Sequence, residues 1–284
     1  MAVSNISISK NQFLLEAACK GDKEGVKKLL EAKAEVSPAF IRAAKRGGGT
    51  ALKILLDAKA NPDSVDESDT AAIHEAAARG HNVVLNLLIG AKADVNIADG
   101  SGRRPFHCAA IHGRTEIARL LVHANANPHL VDQSDAAAIH EAAARGHDAV
   151  AHLLIEAKTN VNMADGSGRR PLHCAIIHGK TETVQILLNG KANPQLPDEN
   201  DHRPTELTDN DKIINLLLRA GALPGPNNYH LMNSLIREEL IRDVEKITPE
   251  QKTVQEPILP FPVSGGHKAL FNLVADYAYP VPKP

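Results

Sequence analysis

Residues 64–129 recur, mostly unchanged, as residues 130–195, an offset of 66 positions. The copies keep register over Ala71-Ala-Ile-His-Glu-Ala-Ala-Ala-Arg-Gly-His81 and Ala137–His147, and over Asp99-Gly-Ser-Gly-Arg-Arg-Pro105 and Asp165–Pro171. Within each copy lies a finer period, since Gly47, Gly80, Gly113, Gly146 and Gly179 stand 33 residues apart, each after an alanine-rich stretch. A period of this length means that every unit adopts the same supersecondary structure and buries its apolar side against the next unit.

One unit shows what that structure is. Pro105 suits the first turn of a helix, where its missing N–H costs nothing, and Phe106, Ala109 and Ala110 then share a face. Gly113 ends this helix, and Thr115 is expected to cap a second one whose Ile117, Leu120 and Leu121 fall at i, i+3, i+4. Asn125-Ala-Asn-Pro128 and the following Asp-Gly-Ser-Gly stretch are turn residues, so an extended loop joins successive hairpins. A single hairpin cannot cover its own apolar face, and the predicted architecture is an all-α solenoid.

Arg170-Pro-Leu-His173, Ala175, Gly179, Leu187-Leu188 and Lys191-Ala192 resemble the ankyrin repeat, with its Thr-Pro-Leu-His start, glycine turn and Leu-Leu pair. The resemblance covers about three quarters of the chain. It implies an all-α solenoid of helix pairs with projecting loop fingers. Its inner surface, made of finger tips and first helices, would bind another protein without catalysis. The motif's threonine is replaced by Arg104, Arg170, Arg203, Ala71 and Ala137, which removes the usual threonine to histidine hydrogen bond and predicts weaker first-helix starts.

Toward the N-terminus, Phe13, Leu14, Ala17, Ala18, Val26, Leu29 and Leu30 predict one helix pair, and Phe40–Leu56 a second. Only 26 residues separate Gly21 from Gly47, so the finger between them is expected to be missing. Arg203-Pro-Thr-Glu-Leu207 followed by Ile213, Ile214 and Leu216-Leu-Leu218 gives a shortened seventh unit. The repeats are thus assigned to residues 1–225 and a C-terminal helix with a proline-rich extension to 226–284. Leu231, Met232, Leu235, Ile236, Leu240, Ile241 and Val244 share a stripe suited to capping the stack. Pro257–Pro262 and Pro280–Pro284 read as extended segments flanking a short helix over Lys268–Tyr277. The order Ser234–Leu240 then Leu259–Pro262 is similar to a SOCS box, whose cysteine is absent here. That similarity implies an adaptor in which the C-terminal region recruits a second partner, ubiquitin-ligase machinery.

Composition narrows the functional classes. With 32 Lys and Arg against 34 Asp and Glu, and 3% aromatic residues, neither a charge excess nor stacking platforms favour nucleic acid. No apolar run approaches the ~18 residues of a membrane span, and the first residues lack the pattern of a signal peptide, so a cytoplasmic location is expected. The in-register duplication is similar to bacterial effector arrangements, for which that location is host cytoplasm. Cys19, Cys108 and Cys174 make no CxxC pair.

His74-Glu75 is not a zinc helix, because the second ligand position is Ala78 and His81 lies beyond the Gly80 turn; the same holds at His140. His74, His107, His140 and His173 share one slot, where an imidazole accepts from one backbone N–H and donates to a loop carbonyl. Asp-Gly-Ser-Gly lacks the strand and lysine of a phosphate loop. Tyr229, His230, His267 and Asp276 form no local motif, and no catalytic residue, metal or cofactor is predicted.

The resemblance places Arg79, His112, Arg145 and His178 on the inner face near the ends of first helices, and Glu67, Arg103, Gln133 and Arg169 at finger tips. With Ile111 and Ile177, the expected partner-binding set is Arg79, Arg103, Ile111, His112, Arg145, Arg169, Ile177 and His178, facing an acidic patch on a protein. The alternative for these arginines is pairing with Glu75, Glu141 or finger aspartates on a solvated face.

Overall fold

Turn glycines at a fixed interval cut the chain into helix pairs, as a computed structural model shows for residues 2–32 and 34–245. In chain order the pairs are α1 (Ala2–Lys20) with α2 (Lys23–Glu31), α3 (Val36–Lys45) with α4 (Gly49–Asp57), and α5 (Ala72–Arg79) with α6 (Asn82–Gly90). They continue with α7 (Pro105–Ile111) and α8 (Thr115–His123), α9 (Ala138–Arg145) and α10 (Asp148–Glu156), and α11 (Pro171–Ile177) and α12 (Thr181–Asn189). A single 3-10 turn, Pro204–Glu206, precedes α13 (Asp211–Arg219), and α14 (Tyr229–Glu245) follows. No strand occurs among the described residues; the fingers before α5 and α9 close with single antiparallel bridges, Val65 to Ala71 and Val131 to Ala137.

First helices pack on neighbouring first helices, α3 to α5 to α7 to α9 to α11, and each also packs on the second helix of its own pair, the second helices forming a parallel row behind them. Between the rows, the 33-residue slots hold Leu55, Leu88, Leu121, Leu154 and Leu187, all fully buried, facing Ile73, Phe106, Ile139 and Leu172. Each unit therefore completes the core of the next, which is why α7 and α11 hold together at only seven residues. The shortened last unit exposes Ile214 and Leu218, and α14 covers them with Met232 and Leu235. The side chains of Leu240, Ile241 and Val244, the proline-rich segments, the Lys268–Tyr277 helix and Leu259–Pro262 of the SOCS-like order lie outside the described residues.

Three local expectations change. Phe13 is 59% exposed, because the burial stripe of α1 runs through Leu14, Leu15 and Ala18 instead. Thr115 is the first helical residue of α8, with Arg114 at the cap position and no side-chain capping bond. First-helix starts, expected to be weak without the threonine, are held by histidine: the backbone N–H of Ala71, Arg104, Ala137 and Arg170 donates to Nδ1 of His74, His107, His140 and His173 at 3.0–3.1 Å.

Finger bases are tied across units by a side-chain ladder. Asp63 accepts from the backbone N–H of Asp94, Asn96 from Asn127 and Asn162 from Asn193, each at 2.8 Å. The same slot holds His129 between the two long copies, and no such bond joins it to Asn160 among the described residues. His129→Asn is expected to restore the rung and stabilise the protein by about 1 kcal/mol, or a Tm increase of roughly 2 °C by circular dichroism.

Candidate functional site

The histidine row fixes the fingers to the helices. His74 Nε2 donates to the carbonyls of Ile97 and Arg103 at 3.0 and 3.1 Å, His107 to Ala136 at 2.9 Å and His140 to Met163 at 3.0 Å. Each imidazole thus bridges its own helix start and the next finger, the structural role its slot implied. Burial holds the pKa of all four below the usual histidine range. At His173 the Nε2 atom has no partner among the described residues, where the adjoining unit is shortened.

Each finger tip is wound around an aspartate. Asp99 Oδ1 accepts from the backbone N–H of Ser101 and Arg103, both at 2.9 Å, and Asp66, Asp132, Asp165 and Asp198 repeat the arrangement. The tip needs a left-handed residue, supplied by Gly102 and Gly168 in alternate units and by Asp69, Asp135 and Asp201 in the others. Tips are also bonded to one another, from Gly100 N–H to the Ser68 carbonyl at 3.0 Å and from Gly166 N–H to Ser134 at 2.8 Å. The fingers therefore form a braced wall beside the first-helix row.

On this frame the predicted arginines all find carboxylates. Arg79 Nε lies 2.9 Å from Glu75, Arg103 Nε 3.0 Å from Asp99 and Arg169 Nε 3.3 Å from Asp165, and Arg145 Nη1 pairs with Glu141. Their side chains stay 41–44% exposed, so the pairs orient the guanidinium groups without covering them. In three of the four the bond uses Nε, and neither Nη atom is engaged among the described residues. Burial places Asp99 in conflict with its charge, yet the N–H groups of Arg103 and Ser101, with the Arg103 charge, keep it below the usual carboxylate range.

The remaining predicted residues sit beside these pairs. Ile111 is half-buried and His112 exposed at the end of α7; Ile177 is 46% exposed at the end of α11, with His178 Nδ1 2.8 Å from the Cys174 carbonyl. The surroundings of His112 are cationic: after burial, the charges of Arg114, Arg145, His147 and Arg103 lower its pKa. Glu67 and Gln133 are exposed at their finger tips, and Gln133 Nε2 also donates to the Gly100 carbonyl at 2.9 Å.

Arg104 and Arg170 have a role that sequence reasoning missed. Standing where the threonine would be, they turn back on the fingers, Arg104 Nη1 donating to the Gly102 carbonyl at 2.7 Å and Arg170 Nη1 to Gly168 at 3.1 Å and to Pro197. Their repetition at a 66-residue offset was the available signal. Cys108 and Cys174 are buried, which pushes their thiols up to about 12 and about 11 and leaves them unreactive. No group of three or more metal-ligating side chains gathers, and no helix is long and apolar enough to cross a membrane, among the described residues.

Two family models match the chain. One, described as ankyrin repeats in three copies, covers residues 14–99 and 40–132; the other, ankyrin repeats in many copies, covers 139–188. No curated protein matches the sequence.

Proposed function

Since the chain belongs to the ankyrin repeat family, a family of protein-interaction modules, we propose that its concave face binds an acidic surface of a partner protein, without catalysis. The observation that carries this reading is the set of four half-exposed arginines, each aimed by a neighbouring carboxylate, with both Nη atoms left open at Arg79, Arg103 and Arg169 among the described residues. A guanidinium held in this way loses less rotamer freedom when it forms a bidentate contact, so pre-pairing favours recognition. Ile111 and Ile177 add apolar contact next to the charges, the mixture found at the centres of protein interfaces.

The test is affinity capture from a eukaryotic lysate by the full chain and by a variant with Arg79, Arg103, Arg145 and Arg169 changed to Gln. Glutamine is chosen because glutamate would stand against Glu75, Asp99, Glu141 and Asp165. Protein bound by the parent and reduced at least ~10-fold with the variant is the expected outcome. Equal capture by two equally folded chains would move binding off this face.

A further inference from the structure

The four central turns share a pattern that the concave-face reading does not absorb: Arg79-Gly-His81, His112-Gly-Arg114, Arg145-Gly-His147 and His178-Gly-Lys180. Each turn carries one permanent cation and one imidazole, in alternating order. Each turn glycine has positive φ, from +62° to +78°, which opens space above it.

The residue after each glycine uses that space on the preceding unit. Arg114 crosses to the Gly80 turn, where its Nε donates to the Ala78 carbonyl at 3.0 Å, and a Cβ on Gly80 would lie 3.2 Å from its Cδ. His147 crosses to the Gly113 turn, with Nε2 3.2 Å from the Ile111 carbonyl. Lys180 lays its stem on Gly146, 2.9 Å from where a Cβ would stand.

This crossing sorts the charges into rungs. Arg114 joins Arg79 at the Gly80 turn, His147 joins His112 at Gly113, and Lys180 joins Arg145 at Gly146. Glu75 and Glu141 each engage one arginine in the outer rungs, but no ion pair engages Arg114 or Lys180 among the described residues. Each outer rung therefore keeps a net positive charge. At ~10 Å per packed helix layer, they lie roughly 20 Å apart with the histidine rung halfway.

We propose that this ridge of turns binds an extended acidic peptide of a partner, with carboxylates at positions i, i+3 and i+6. A chain in the extended polyproline II form has three residues per turn and a rise of ~3.1 Å per residue, so every third side chain falls on one face, ~9 Å from the last, and meets one rung. The charge is complementary at the two outer rungs, and no Phe, Tyr or Trp stands in these turns to stack a base. The proposal shares Arg79 and Arg145 with the concave-face reading, whereas Arg114 and Lys180 belong to the ridge alone.

The test is fluorescence anisotropy on the full chain at low salt. The probe is a labelled Gly-Ser peptide with Glu at i, i+3 and i+6, set against a peptide of identical composition with the three Glu adjacent. The spaced peptide is expected to bind about fivefold tighter, the size of one or two exposed charge pairs. Combining Arg114→Gln with Lys180→Gln is expected to remove that advantage, and Arg114→Lys with Lys180→Arg to restore it, which separates charge from turn stability. Equal binding of the two peptides, no binding of either, or equally tight binding of oligothymidylate would overturn the proposal. Loss with Arg103→Gln and Arg169→Gln in place of the ridge variants would also overturn it, while leaving the concave-face reading intact.

Discussion

Acidification from about pH 7.5 to 5.5 is expected to destabilise the fold steeply, because four imidazoles are buried, three of them tying fingers to helices. His74, His107, His140 and His173 are held by burial below their ordinary value of 6.5. Above that value both folded and unfolded chains keep these rings neutral, and their contribution to stability is fully present. As the pH falls below it, the unfolded chain takes up protons that the fold excludes, and stability drops until the folded-state values are passed. Each such histidine contributes a slope of up to ~1.4 kcal/mol per pH unit, so four together approach ~5 kcal/mol per unit at the steepest point. Thermal unfolding followed by circular dichroism across this range measures the effect. A Tm that stays level down to pH 5.5 would mean that the imidazoles accept protons inside the fold.

Phe106→Ala is expected to cost about 3–5 kcal/mol and to lower Tm by roughly 10 °C. Phe106 is 2% exposed in the central unit, packed between the rows where the copy two units on has Leu172. In a compact domain such a cavity weakens the whole core, but here each unit touches only its neighbours, so the damage falls on the coupling between two halves of the stack. Unfolding should therefore broaden or split, with hydrogen exchange rising first in α5–α10. Leu14→Ala removes an equally buried side chain at the end of the stack and should fray α1 while the centre stays protected. A single sharp transition in both variants would show that the stack unfolds as one unit.

The duplicated register made the fold legible at single-residue level in the middle of the chain. Gly113 and Gly146 marked turns, Leu121 and Leu154 marked the core, and His107 and His140 marked the bridges to the fingers, because one geometry is imposed on every unit. Legibility faded in the first helix, which lies outside the duplicated register: Phe13 faces outward because the burial stripe of α1 runs through Leu14, Leu15 and Ala18. It faded also for side chains whose partners come from the next unit. Arg114 and Lys180 look like ordinary turn residues in sequence, and only the stacking carries them onto Gly80 and Gly146. The pairing of Arg79 with Glu75 was visible as an i, i+4 spacing, but not that its Nη edge would remain open. Arg104 and Arg170 read as the loss of a threonine, while the fold uses their length to reach finger carbonyls.

The most direct measurement of the central claim, that the inner face is the binding face, is site-specific photocrosslinking. A photoreactive residue is placed at Ile177, exposed on the inner row, and separately at Arg119, exposed on the outer helix α8. Crosslinks to the captured partner from position 177 and none from 119 are the predicted result. Crosslinks from 119 with none from 177 would contradict it and place the interface on the convex side of the stack.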